Sequence, residues 1–180
     1  MKEGHKAVLV TSAEECDGKT FCAIRLAEAF ARMGEKTVIC DLNLRHPSVT
    51  EKLDVKEQPG LSSWLHNKET GEIRLFVKDT KTPGLTVLPA GTDNTIHPAD
   101  LIAHKSLHHI LACLKQEYDV VILDSPALGR YDDILIDGIA DVTCYVCCIG
   151  KTRKSDIENL DKLTKENRLA SPCVVLNQMS

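Results

Sequence analysis

The sequence has no long uninterrupted hydrophobic run. Its apolar stretches are far shorter than the roughly 18 residues of a membrane-spanning helix, and its first ten residues, MKEGHKAVLV, lack the apolar core and cleavage site of a signal peptide. A basic run is also missing, since 22 Lys and Arg stand against 26 Asp and Glu, for a net charge of −4. These absences favour a cytoplasmic, soluble protein with no direct membrane span and no nucleic-acid partner.

The eight cysteines lack the spacing of a metal site, because no second Cys-x-x-Cys pair completes a set of four ligands. Most stand among apolar residues, as Cys40 does at the end of an apolar run. Cys144, Cys147 and Cys148 lie in the strand-like segment DVTCYVCCIG, where alternation places Cys147 on the face opposite the other two. We expect reduced core cysteines, which pack as small hydrophobes. A metal or redox role is the alternative.

Strand-length apolar runs alternate with amphipathic helical segments. The segment 19–33 carries apolar residues at three- and four-residue steps and ends at Gly34, and segments 99–116 and 155–166 show similar stripes. This alternation predicts an α/β fold with a mostly parallel sheet and helices on both faces. At 180 residues and 43% hydrophobic, residues 1–180 should form a single domain. The apolar runs are 7–10, 37–40, 85–88, 120–123, 142–149 and 173–176.

The segment 45–82 is less regular. Proline and glycine interrupt short helical pieces there, such as 61–65. We expect an irregular segment on the surface, with Trp64 packed beneath it.

The strongest local signal is a strand that runs into SAEECDGKT at 12–20 and then directly into a helix. This context is that of a Walker A loop, which wraps backbone N–H groups around phosphates and supplies a lysine and a magnesium-binding hydroxyl. The sequence thus predicts a P-loop NTPase that binds ATP and Mg²⁺. The predicted nucleotide-binding residues of this segment are Glu15, Cys16, Asp17, Gly18, Lys19, Thr20 and Phe21.

Two further apolar runs end in aspartate. Asp41 follows the run 37–40 and precedes Arg45, whereas Asp124 ends the run 120–123 in the form of a Walker B strand. A single such aspartate is more often structural. Ligands of parallel α/β sheets bind outside the carboxyl ends of the strands, so three such ends together favour a phosphate and metal site.

This arrangement resembles the bacterial tyrosine kinases of capsule and exopolysaccharide synthesis, a branch of the partitioning-ATPase superfamily. Members carry a Walker A loop, an additional Asp-x-Asp-x-Arg motif and an aliphatic run ending in Asp-Thr-Pro-Pro. Here the last two are DLNLRHP at 41–47 and DSPA at 124–127, and the resemblance covers nearly the whole chain. Septum- and chromosome-partitioning ATPases carry a signature lysine where this chain has Glu14, so the kinase branch fits better.

The resemblance implies transfer of the ATP γ-phosphate to protein tyrosine. Lys19, Asp41 and Asp124 would be catalytic, with Asp41 accepting or orienting the tyrosine proton. Thr20, Asp41, Asn43 and Asp124 would hold Mg²⁺ directly or through water.

The resemblance also suggests contacts beyond the catalytic centre. Asn177 would touch the adenine base, although it could also be a turn residue that ends a strand. Arg45 would pair with Asp133 or with a phosphate. The expected partner is a membrane polysaccharide co-polymerase or adaptor, which would bring the chain to the inner face of the plasma membrane, and homo-oligomers are expected as well.

Two departures from the family pattern keep other functions open. Cys16 stands where the family's Pro-Gly-Glu-Gly-Lys has glycine, so a β-carbon lies where the backbone should approach phosphate. Asn43 replaces the second carboxylate of the additional motif. The alternatives are a partitioning-type ATPase switch and a degenerate ATP-binding regulatory module.

Overall fold

The structure is a computed structural model that describes residues 7–55, 59–66, 72–92, 104–128 and 138–178. Its strands are β1 (Ala7–Ser12), β2 (Thr37–Asp41), β3 (Lys78–Asp79), β4 (Leu85–Leu88), β5 (Val120–Asp124), β6 (Val142–Cys148) and β7 (Pro172–Asn177). The α-helices are α1 (Lys19–Arg32), α2 (Ser48–Lys52), α3 (Leu61–His66), α4 (His104–Glu117) and α5 (Lys154–Lys165), and Ile73–Phe76 forms a 3₁₀ turn.

The strands form one seven-stranded sheet in the order β3-β4-β2-β5-β1-β6-β7. Every neighbouring pair is parallel except β3 and β4. The predicted α/β fold with a mostly parallel sheet is therefore confirmed, and each predicted apolar run corresponds to a strand. The two-residue strand β3 was not predicted, because two residues carry no periodic signal.

Apolar side chains pack on both faces of the sheet. Leu9 of β1 points to the face covered by α4 and α5, where Ile110 and Leu160 belong to the same core. Its neighbour Val8 points to the opposite face, against Ala23 of α1. This alternation along β1 requires helices on both faces, as the sequence predicts.

The irregular segment after β2 contains α2, α3 and the 3₁₀ turn. Trp64 of α3 is fully buried, and its ring stacks on His109 with 6.1 Å between the ring centroids. The predicted burial of Trp64 is confirmed. Helix α2 was not predicted, and Val49 anchors it to the core. Of the helix predicted over 99–116, residues 99–103 lie outside the described part of the chain.

The expectation of core cysteines holds for only part of the set. All eight are free thiols, but Cys40, Cys147 and Cys148 alone are buried, while Cys16 and Cys173 are exposed. Cys173 is exposed because β7 is an edge strand of the sheet. Cys144 and Cys147 pack on opposite faces, as predicted. The half-buried members are Cys22, Cys113 and Cys144.

Candidate nucleotide and magnesium site

The carboxyl ends of β1, β2 and β5 are neighbours at the centre of the sheet. The loop 13–18 leaves β1 here and leads directly into α1, whose second residue is Thr20. Thr20 Oγ1 donates a 2.8 Å hydrogen bond to Asp124 Oδ2 at the end of β5. Residues predicted separately from two motifs, 104 positions apart, are thus in direct contact.

The loop folds tightly through its own hydrogen bonds. Ser12 Oγ donates to the Glu14 carbonyl oxygen over 2.7 Å, and Glu14 N donates to Asp17 Oδ2 over 2.9 Å. Gly18 adopts a left-handed conformation, with φ of 92°, and Cys16 has φ of 63°. Glycine accepts such a conformation without strain, whereas a residue with a β-carbon does not.

The amino end of α1 has the properties of an anion-binding site. Gly18 precedes the helix as its N-cap residue and has no side chain that could cap the first N–H groups. Lys19, the first residue of the helix, is held within the fold rather than extended into solvent, with only 6% of its surface exposed. Free N–H groups and the helix dipole together favour phosphate.

Asp41 and Asp124 are paired in register on the adjacent strands β2 and β5. Both are buried. Burial, followed by the charge of Asp41, raises the pKa of Asp124 to about 7, although the Thr20 hydrogen bond and Lys19 oppose this shift. Burial likewise raises the pKa of Asp41 to about 6. Two buried carboxyl groups with raised pKa values are typical of a site that binds a cation.

The Asp124 carboxylate has one oxygen without a hydrogen-bond partner among the described residues. Asp124 Oδ1 is buried and accepts no hydrogen bond from any residue in the described ranges. A buried carboxylate oxygen without a partner is unfavourable unless a cation or an ordered water satisfies it.

The described ranges contain no group of three or more His, Cys, Asp or Glu side chains arranged to hold a metal. Mg²⁺ in phosphoryl-transfer sites needs no such group, because one or two carboxylates, waters and the phosphates of the nucleotide complete its shell. The Thr20 hydroxyl and Asp124 therefore fit the ion.

Asp41 is held by a network that the sequence did not reveal. Thr50 of α2 donates to Asp41 Oδ2 through its N (2.9 Å) and its Oγ1 (2.7 Å), and Asn43 N donates to Asp41 Oδ1 over 3.2 Å. Thr50 Oγ1 in turn accepts a 2.9 Å hydrogen bond from Ala90 N. This network fixes the orientation of Asp41 and joins β2 to α2 and the end of β4.

Three other predicted residues have distinct surroundings. Asn43 Oδ1 accepts a 3.1 Å hydrogen bond from His46 N and so caps a local turn. The Phe21 side chain is 51% exposed and lies against the Arg25 guanidinium on the exposed side of α1. Asn177 ends β7, where its Nδ2 donates a 2.9 Å hydrogen bond to the Asp17 carbonyl oxygen.

The segment after β6 supplies functional candidates that sequence reasoning missed. Lys151 Nζ lies 2.7 Å from Asp17 Oδ1 and also donates to the Glu15 carbonyl oxygen, while Arg153 pairs with Glu14 over 2.7 Å. The signal available was their position directly after a strand, because carboxyl ends of parallel strands share one edge of the sheet. Asp133, a predicted partner of Arg45, lies outside the described residues.

A family model described as an AAA domain matches residues 7–146. The match spans β1 through most of β6 and includes Asp41, Asp124 and the loop 13–18. The chain belongs to the AAA domain family.

Relatives of this AAA domain carry kinase names. Tyrosine-protein kinase YwqD of Bacillus subtilis is 33% identical over 150 residues, which cover 83% of this chain and 62% of the relative. Tyrosine-protein kinase CpsD of Streptococcus pneumoniae is 28% identical over 176 residues, or 97% of this chain and 76% of the relative. The predicted resemblance to bacterial tyrosine kinases is thereby confirmed.

Solved structures with a similar fold agree with this family assignment. The chimerical protein CapA2B2 superposes with a TM-score of 0.86 at 26% identity, covering 99% of this chain and 78% of that one. The VpsO kinase domain gives 0.83 at 26% identity, covering 98% and 86%. MinD of Pyrococcus horikoshii, solved with Mg-ADP, gives 0.78 at 20% identity over 97% and 71%, a likeness of fold alone.

Among the helices in the described ranges, none combines the length and the apolar character needed to cross a bilayer.

Proposed function

We propose that this AAA domain binds ATP with Mg²⁺ and transfers the γ-phosphate to tyrosine of a protein substrate. The observation that carries the proposal is the hydrogen bond between Thr20 and Asp124, with Asp41 in register beside it. A hydroxyl from the phosphate-binding loop and a carboxylate from the end of the neighbouring strand meet at one point. This is the arrangement that P-loop enzymes use to hold magnesium.

Charged and polar groups of the chain would stabilise the negative charge of the phosphates. Lys19 and the N–H groups at the start of α1 would neutralise the phosphates and the charge that develops during transfer. Mg²⁺, when bound by Thr20 and Asp124, supplies charge neutralisation of the phosphate oxygens. Asn177 would contact the adenine base from the end of β7, and Asn43 would complete the metal environment through water.

Asp41 is the proposed base. Its pKa of about 6 is high enough for it to accept a proton and low enough for it to be ionised at neutral pH. Its hydrogen bonds to Thr50 fix its carboxylate in one orientation. It would accept the proton of the tyrosine hydroxyl or orient that hydroxyl toward the γ-phosphate.

The decisive experiment incubates the chain with labelled ATP, Mg²⁺ and a tyrosine-rich peptide. Phosphotyrosine on the peptide supports the proposal. Phosphate release without phosphotyrosine overturns it in favour of a partitioning-type ATPase switch, and nucleotide binding without turnover overturns it in favour of a regulatory module. Lys19→Met should abolish transfer, whereas Lys154→Met is the matched control, because Lys154 is exposed and pairs only weakly with Glu158.

We further propose that the domain acts in the control of capsule or exopolysaccharide synthesis, from the cytoplasmic face of the membrane. The support is the similarity to the tyrosine kinases described above, and the expected partner is a membrane polysaccharide co-polymerase or adaptor. Adding the cytoplasmic segment of such a partner should stimulate peptide phosphorylation. No stimulation, together with no binding in sedimentation, would contradict this partnership.

A further inference from the structure

The segment that follows β6 contacts the phosphate-binding loop through Lys151. Lys151 Nζ forms an ion pair with Asp17 Oδ1 over 2.7 Å and donates a hydrogen bond to the Glu15 carbonyl oxygen. The two acceptors stand on either side of Cys16, so a single ammonium group spans the tip of the loop. Lys151 thereby joins the end of β6 to a loop whose residue Glu15 lies 136 positions earlier in the chain.

The burial of Asp17 makes this ion pair different from the ion pairs in which both side chains are exposed. The Asp17 side chain is 1% exposed, whereas Lys151 retains 38% exposure. Removing the lysine would leave a buried carboxylate oxygen without its cation, which is strongly unfavourable. The pair of Arg153 with Glu14 is exposed on both sides, at 68% and 43%, and pairs of that kind contribute little.

The loop needs a stabilising contact because it has Cys16 in a strained backbone conformation. Cys16 occupies the left-handed region at φ of 63°, a conformation that is strained for a residue with a β-carbon. Strained backbone persists only where surrounding contacts hold it. The contacts of Lys151 lie on the residues immediately before and after Cys16.

We propose that Lys151 is a positioning residue, which holds the loop 13–18 in its phosphate-binding conformation and offsets the strain at Cys16. The proposal rests on the proposed binding of ATP to this loop. The hydrogen bond with Asp17 also raises the pKa of Lys151 above its usual range, so the ammonium stays protonated throughout the neutral range.

The test measures the affinity of a fluorescent ATP analogue, with Mg²⁺ present, for a set of variants. Lys151→Met should weaken binding about tenfold or more, because the loop loses the ion pair at Asp17 and the hydrogen bond at Glu15. Lys151→Arg keeps the charge and should recover most of the affinity. Lys154→Met, whose side chain is 91% exposed in the wild type, should bind like the wild type.

A coupling experiment separates positioning from a general loss of stability. Cys16→Gly relieves the strain at the loop tip, so Lys151→Met should weaken binding far less in that background, about threefold or less. A merely structural lysine would give the same loss in both backgrounds. Equal losses, or a Lys151→Met variant that binds within twofold of the wild type, would overturn the proposal.

The outcomes for the lysine and for kinase activity are distinguishable. Wild type that binds the analogue but phosphorylates no tyrosine contradicts the proposed kinase function and leaves the role of Lys151 supported by the variant series. Wild type that phosphorylates tyrosine while Lys151→Met retains full affinity contradicts the role of Lys151 alone.

Discussion

Asn177 and Gly18 are in direct contact across the sheet edge. Asn177 Nδ2 lies 1.9 Å from the point where a β-carbon on Gly18 would stand, and the same nitrogen donates to the carbonyl oxygen of Asp17. Gly18 also has φ of 92°. Two independent constraints, backbone conformation and the approach of Asn177, therefore require glycine at the start of α1.

Gly18→Ala should reduce both stability and nucleotide binding. The left-handed conformation costs alanine about 1–2 kcal/mol, and the new methyl group must displace Asn177. Gly34→Ala is the matched control, because Gly34 has φ of 90° but nothing within 4 Å of the point where its β-carbon would stand. Urea unfolding should show a larger loss of stability for Gly18→Ala than for Gly34→Ala, because only the methyl group at position 18 must displace Asn177, and analogue binding should fall only for Gly18→Ala. Equal losses of stability in the two variants would contradict the contact with Asn177.

Thr20→Ala should weaken magnesium-dependent nucleotide binding by about tenfold or more. The substitution removes the hydroxyl that fits Mg²⁺ and the hydrogen bond to buried Asp124, a loss of about 1–3 kcal/mol. Titration calorimetry with and without Mg²⁺ measures the effect. Thr20→Ser keeps the hydroxyl and should behave like the wild type. An alanine variant with unchanged magnesium dependence would remove Thr20 from the metal site.

Thr50→Val should destabilise the protein by about 2 kcal/mol, because it removes a hydroxyl that donates to Asp41 and accepts from Ala90 N. The shape of the side chain is nearly conserved, and Thr50 is 1% exposed. Urea denaturation gives the free energy of unfolding. Thr50→Ser should lose much less, since it keeps both hydrogen bonds. Comparable losses in the two variants would assign the effect to packing instead.

Stability without nucleotide and Mg²⁺ should fall as the pH rises from 5 to 8. The pKa values of Asp41 and Asp124 are raised from 3.8 to about 6 and about 7. The folded protein therefore keeps protons that the unfolded chain has already released, so ionisation on the way to pH 8 disfavours the folded state. Well below pH 4 both states are protonated and the penalty disappears.

The variant Asp124→Asn isolates this pH effect. Relative to the wild type it should gain stability as the pH rises, by up to about 1.4 kcal/mol per pH unit within the window. Asp161→Asn is the control, because Asp161 is exposed and pairs with Lys165. Urea unfolding in EDTA at pH 5, 6, 7 and 8 makes the comparison. Parallel pH profiles for wild type and Asp124→Asn would refute the raised pKa.

The fold was predictable because its signals are local. Each buried parallel strand is a continuous apolar run, and α1 carries its apolar stripe and its glycine stop within one segment. The loop 12–20 and the aspartates at 41 and 124 were recognisable for the same reason, since a strand end is visible in the sequence. The helix α2 was not, because its five residues are held by Val49 and Thr50 against distant parts of the chain.

The sequence by itself determined the α/β class, the Walker A pattern at 12–20 and the two strand-end aspartates. Only the tertiary structure decided which residues surround them. Thr50 against Asp41, Lys151 against Asp17 and Asn177 against Gly18 are contacts between separate segments of the chain. A sequence pattern records the periodicity of one element. The order of strands in the sheet and the shared edge at their carboxyl ends decide which elements meet, and that order depends on packing across the whole core.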